Sequence, residues 1–272
     1  MKKLSLDAFT LKMIAIISMG VHHTFMVLWE LFPMWLHIPL YALRGVTFPI
    51  MAFFVTEGFR RTSNIKKYML RLLIFALIAQ LPYMIAFEYT MLNIIFTILL
   101  SLICISMYDK WYVKENKQAL FVVTFVVILI VSLIFFEGGL VGPLMIFLFH
   151  VIKDEKKRRA IPLVCWGVLS IFLSLLSRAS MSFVIDGEEF AALMETQGRI
   201  MQLESELMQY YVVSVGSFLI IPLLLAYNGE RGKRAKFLFY TFYPLHFVIL
   251  ALAAYALGMV DFAFFSSPFL GF

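Results

Sequence analysis

The chain has 272 residues, 62% of them hydrophobic and 15% charged, with a formal net charge of +6 and a mean hydropathy of +0.90. Repeated apolar runs of 18 or more residues exclude a soluble domain and mark a polytopic membrane protein. The basic excess lies between those runs, where it sets topology, and this excludes nucleic-acid binding as its explanation.

The first apolar run, Phe9 to Phe32, reads FTLKMIAIISMGVHHTFMVLWELF. It is long enough to cross a bilayer, which takes about 20 residues. It is too long for a cleavable leader and has no small-residue cleavage site. Lys12, His22, His23 and Glu30 interrupt it, and ionisable groups at that depth face a bundle interior or a wet cavity. Lys12 and His23 are eleven positions apart, close to three helical turns, so they share a face roughly 16 Å apart. Glu30, two turns beyond His23, extends the same stripe. His22 points about 100° away, and we expect it to hydrogen-bond a neighbouring helix rather than face a cavity.

Eight further runs follow, near 40–59, 68–87, 91–108, 119–136, 139–152, 160–177, 211–227 and 237–258, for about nine transmembrane helices in an all-α bundle. In the second, Arg44 stands beside Gly45 with Pro49 beyond it, which predicts a kink where a guanidinium lines a cavity. Glu30 or the acidic loop 178–210 is its expected partner. Glu57 has Arg60 and Arg61 at i+3 and i+4, a local salt-bridge pattern. The third run carries Arg71, Gln80 and Pro82, and the fourth places Asn93, Thr97 and Ser101 on one face for interhelical hydrogen bonds. The sixth opens with Gly-Gly and Gly-Pro and is short, which predicts a half-helix or re-entrant segment. In the ninth, Tyr240, Tyr243 and His246 form a ridge, and His246 falls at the depth of His23, so the two imidazoles are expected to meet across a cavity. Cys104 and Cys165 read as small buried residues without a disulfide. No metal site is expected.

Residues 1–3, 60–67, 109–118, 153–159 and 228–236 are basic and alternate with loops almost free of Lys and Arg. The positive-inside rule then orients the N-terminus to the cytoplasm and the C-terminus outside. The long outer loop 178–210 is acidic and has the three-and-four apolar spacing of an amphipathic helix, which fits a lid on the outer mouth. The inner loop YNGERGKRAK pairs two glycines with Arg231, Lys233, Arg234 and Lys236, a flexible backbone with free amides suited to phosphate capture.

The segments LDAFTLKMIAIISMGVHH, RGVTFPIMAFFVTEGF, YMLRLLIFALIAQLPY, NIIFTILLSLICI and YNGERGKRAKFLFYTFYPLHF resemble, in order, the motifs of the TraX family, bacterial inner-membrane proteins named for the enzyme that N-acetylates the F-pilus subunit. The resemblance omits a middle section, about 110–210. A distant likeness to the acyltransferase-3 superfamily aligns its first-span Arg with Lys12 and its essential His with His23. The resemblance implies a single transmembrane domain over 1–272 that moves an acyl group, acetyl above all, from cytoplasmic acetyl-CoA to a peptide, sugar or lipid acceptor in or across the bacterial inner membrane.

On that basis His23, His22, Arg44 and His246 are the catalytic candidates, with a histidine as general base. Lys12, Arg71, Tyr240, Tyr243, Arg231, Lys233 and Arg234 are the candidates to hold acetyl-CoA. The alternative is a transporter or flippase that uses the buried His and Arg groups as a proton relay or headgroup site.

Overall fold

The structure, a computed structural model, describes residues 4–87, 90–184 and 213–259. Helix α1 (Ala8–Val27) begins where Asp7 caps it, accepting the Thr10 amide at 2.7 Å, as short acidic side chains do at helix starts. It ends at Leu28, which leaves helical geometry at φ −114 and ψ 32. Phe32 is extended ahead of Pro33, as residues before proline are, so the helix has no room to continue. Glu30 therefore lies in a 3₁₀ turn, Trp29–Leu31, and does not extend the Lys12–His23 stripe as its spacing predicts.

Residues expected as an outer loop instead form a short helix, α2 (Met34–Ala42), followed by α3 (Arg44–Arg61). The break falls at Leu43, ahead of Pro49 and next to Arg44, where the proline placement predicts it. The missing Pro49 amide leaves the Gly45 carbonyl without a helical partner, and the Ser217 hydroxyl donates to it at 3.4 Å. Then come α4 (Ile65–Phe87), α5 (Ile94–Met107) with a π-helical continuation over Tyr108–Lys114, and α6 (Gln118–Phe135). After these lie α7 (Val141–Val151), α8 (Glu155–Val184), α9 (Val213–Leu225) and α10 (Lys236–Ala256). Of the expected lid, 178–184 continues α8 and 185–210 lies outside the described residues.

Among the described residues six helical segments are long and apolar enough to cross a membrane, with α2 and α3 counted together. At 1.5 Å per residue the 11-residue α7 reaches about half of the roughly 30 Å hydrocarbon layer, as expected for the sixth segment. The outer face of α6 exposes Val122, Val123, Val126, Ile130 and Ile134, an apolar surface suited to lipid contact. The protein is a multi-pass, all-helical membrane protein. Cys104 is buried and Cys165, on α8, is exposed, both as free thiols, so Cys165 is not the buried residue its apolar run predicts.

Helix α1 packs on α3, α4 on α10, and α7 against α3, α5 and α8. Close approach is set by glycine. An added Cβ at Gly45 would stand 2.1 Å from the Val213 carbonyl, and one at Gly216 would stand 2.1 Å from that of Ala42. Small residues at helix contacts allow this backbone proximity.

Candidate functional site

A cavity of about 1180 Å³ runs through the bundle. One end is cationic, bordered by Lys12, Arg61, Arg71, Arg231 and Lys233; the middle is bordered by His22, His23, Tyr240 and Tyr243; the far end is bordered by Arg44 and Glu137. Of the residues predicted from sequence, nine border this one space. His246 and Arg234 do not, and Glu30 is also absent from its walls.

The basic end is built, not loose. Leu6 forms an isolated parallel bridge with Tyr227, made by Leu6 N to Ala226 O and Asn228 N to Leu6 O, both at 2.9 Å. Ala8 N donates to Glu230 O at 2.9 Å, and Glu230 N donates to Asn228 Oδ1 at 2.8 Å. Arg159 holds the Tyr227 carbonyl at 2.8 Å, and Arg61 reaches that of Gly229 at 3.4 Å. The Tyr-Asn-Gly-Glu-Arg-Gly pattern is thus a pinned turn, with Gly229 and Gly232 at φ +85 and +65, and not the flexible loop with free amides that its composition predicts. Three of its amides, those of Tyr227, Asn228 and Glu230, are committed to hydrogen bonds, and the cations project from a fixed backbone. Thr10 amide bonding to Asp7 also holds that carboxyl below the usual carboxylate range.

The Glu57 expectation is half met. Arg61 pairs with it at 2.8 Å, but Arg60 turns away to the carbonyls of His150 and Phe149. The second partner is Arg158, 1% exposed, at 2.8 Å and stacked over Phe53. Read from sequence, Arg158 is one more topology charge; folded, it is a buried tie between α3 and α8. A second tie, His150 Nε2 to Asp109 Oδ1 at 2.8 Å, joins α7 to the π-helical turn. Segments 5–8, 57–61, 109, 150–159 and 226–233 therefore all meet at this end.

In the middle, His23 Nδ1 lies 2.8 Å from His246 Nε2. The two histidines at matching depth do meet, by direct contact. Phe87 and Phe247 pack against the His23 ring with centroids at 5.3 and 5.0 Å. His22 also borders the cavity, and its Nε2 is buried with no hydrogen-bond partner among the described residues. The expectation that only His23 faces the cavity is corrected: the space is wide enough to wrap two helix positions about 100° apart. Lys12, toward the basic end, sits over Phe54 and Phe239, and Arg71 sits over Tyr68.

At the far end the decisive residue, Glu137, escapes the sequence reading, because a two-residue connection between spans looks like a plain turn. Leu92 bridges Phe136, Glu137 N donates to Leu92 O at 2.8 Å, and Thr97 donates its hydroxyl to the Glu137 carbonyl. The Glu137 carboxylate accepts the Ile94 amide at 3.0 Å, at the start of α5, where helix amides favour negative charge. An acidic residue beside Gly-Gly in an otherwise uncharged outer connection is the signal that marks it. Asn93 caps α5 and bonds Gln80 and the Ala76 carbonyl, while Ser101 bonds within its own helix. Of the fourth-run face, Asn93 thus bonds a neighbouring helix, Thr97 bonds the connection at Glu137 and Ser101 bonds its own helix. Arg44 shares the cavity with Glu137 without a carboxylate within ion-pair distance among the described residues.

The family model described as TraX protein matches residues 7–254, and so runs through the middle section that carries no recognisable motif. The chain is similar to the probable fimbrial assembly protein FimC, serogroup H1, of Dichelobacter nodosus, 27% identical over 264 residues, 93% of this chain and 97% of that protein. No solved structure matches it. A helical membrane bundle with motifs in order and a match over nearly its whole length, this chain belongs to the TraX family.

Proposed function

We propose that this protein is a membrane-embedded acyltransferase that moves an acetyl group from acetyl-CoA to an acceptor in or across the membrane. The observation that carries this is the single cavity in which a cationic end leads to His23 in mid-bundle. Lys12, Arg71, Arg231 and Lys233 supply charge for the donor's phosphates, and the apolar walls suit its pantetheine arm. His23 takes the acceptor's proton as general base, and Arg44, which borders the same cavity, supplies a cation for the developing oxyanion. Atoms balance without a further reactant. The acceptor's N–H or O–H adds to the thioester carbonyl, the C–S bond breaks, and the proton passes through His23 to the leaving thiolate. The fimbrial-assembly name of the Dichelobacter nodosus relative favours a peptide acceptor over a sugar or lipid.

By the positive-inside rule the basic end faces the cytoplasm of a bacterial inner membrane, with the N-terminus inside and the C-terminus outside. Reporter fusions after Phe272 should read as external; a cytoplasmic readout overturns that orientation. The activity is tested with purified protein and acetyl-CoA labelled in the acetyl group. Label should leave the donor, and His23→Ala should slow its release by about a hundred- to ten-thousand-fold. No release by the wild type, with movement of an unmodified solute or lipid across vesicles, overturns acyl transfer in favour of transport.

A further inference from the structure

The two histidines are ordered by a third group. His246 Nδ1 lies 2.9 Å from the Phe242 carbonyl oxygen. A carbonyl only accepts, so this nitrogen carries the hydrogen, and a neutral imidazole has one N–H only. His246 Nε2 is then a bare acceptor. His23 Nδ1, 2.8 Å away, must donate to it, which leaves the lone pair of neutral His23 on Nε2. The direction of the chain, from His23 Nδ1–H to His246 and from His246 Nδ1–H to Phe242, follows from two distances and the donor inventory.

The relay is held as firmly as it is ordered. Phe242 stacks on His246 at 5.0 Å, and Phe247 lies 4.1 Å from the same ring. His246 is 8% exposed and takes no part in the cavity wall, whereas His23 does. His22 and Tyr243 also border this part of the cavity, and the hydrogen-bond partner of the His23 ring is His246.

We propose that His246 is a positioning residue that fixes His23 as the Nδ1–H tautomer and thereby assigns proton abstraction to His23 Nε2. This rests on the acyl-transfer reading for its catalytic consequence, but the tautomer itself does not. When Nε2 takes the acceptor's proton, the bond from Nδ1–H to His246 becomes charge-assisted and strengthens, so a neutral imidazole does for His23 what a carboxylate does in a serine hydrolase. The proton then leaves from Nε2 to the thiolate, and the relay returns to its starting state.

Two variants separate acceptor from ring. His246→Phe keeps the stacked ring and removes the acceptor; His246→Gln removes the ring and keeps an acceptor oxygen. With the full-length protein and acetyl-CoA, His246→Phe should lower kcat about a hundredfold or more with KM for the donor unchanged, and His246→Gln should recover at least tenfold of that loss. Equal losses in both, or a phenylalanine variant as active as the wild type, overturn the role. Nitrogen-15 spectra of histidine-labelled protein test the tautomer without turnover. Wild-type His23 should show a protonated Nδ1 and a bare Nε2, and a wild-type His23 protonated on Nε2 overturns the proposal even in an active enzyme. The expected tautomer in a protein that releases no acetyl group would instead remove acyl transfer and leave the positioning intact.

Discussion

At the scale of single residues the two adjacent histidines show how environment, rather than residue type, divides roles. His23 has a partner at 2.8 Å. His22 Nε2, buried in the same helix, meets none among the described residues. An unsatisfied buried polar atom costs about 1–3 kcal/mol, so His22→Leu should leave the thermal midpoint in detergent unchanged or raise it. A marked fall would show that His22 holds a neighbouring helix, as its position on the helical wheel predicts. The cations at the mouth divide in the same way. Arg231 and Lys233 border the cavity and Arg234 does not. Neutralising the first two with glutamine should weaken acetyl-CoA binding, and the difference from wild type should shrink as salt rises, because charges are screened over about 10 Å at 0.1 M. Arg234→Gln should do neither, and unchanged affinity in the double variant would assign the loop to topology alone.

At the scale of elements, backbone proximity and capping decide where helices sit. The α3–α9 contact is made through Gly45, where a Cβ would stand 2.1 Å from a backbone oxygen and 2.8 Å from a backbone nitrogen. Backbone cannot swing aside as a side chain can. Gly45→Ala should therefore destabilise by about 1–3 kcal/mol, the usual cost of overpacking, read as a lowered denaturation midpoint; an unchanged midpoint would mean the two helices separate freely. At the start of α1 the sign of a pH effect follows from Asp7. Its folded-state pKa is lowered by the Thr10 hydrogen bond, so the stability it contributes is present above the unfolded carboxylate value, about 3.9. It is lost as pH falls through the lower folded value. The gap in stability between wild type and Asp7→Ala should close on acidification below about pH 4. A gap that persists would assign the effect to the neighbouring turn at Gly232, where a Cβ would meet the Asp7 carboxylate at 2.3 Å.

At the scale of the whole molecule the cavity has one isolated parallel bridge beside its basic lining and another beside Glu137. Leu6–Tyr227 lies beside Arg231 and Lys233. Leu92–Phe136 lies beside Glu137 and Arg44. Both bridges tie segments distant in sequence, 221 and 44 positions apart, so each mouth is fixed by backbone hydrogen bonds that do not depend on side-chain chemistry. Charge follows the same division, with arginine ties through Glu57 and Arg158 at one end and the anchored Glu137 carboxylate at the other.

The amino-acid sequence by itself determined the all-helical membrane class, the approximate set of spans, the short sixth segment and the level at which His23 and His246 lie. These depend on apolar run length, glycine and proline placement and a rise of 1.5 Å per residue, all of which act locally. It also determined that Lys12, Arg71, Arg231 and Lys233 belong to one basic end, since basic loops share a side of the membrane. Only the tertiary structure decided which polar groups share the cavity. The stop at Leu28 removed Glu30 from the stripe. Pairing with Leu6 turned a loop that looks flexible into a fixed turn. Arg158 was drawn inward by Glu57, and a connection that looks inert delivered Glu137 to the far mouth. Each of these depends on a partner many residues away, and helical periodicity carries no information about a neighbour on another helix. The tautomer of His23 belongs to the same group, because it is set on α10 by the Phe242 carbonyl and passed across a helix contact.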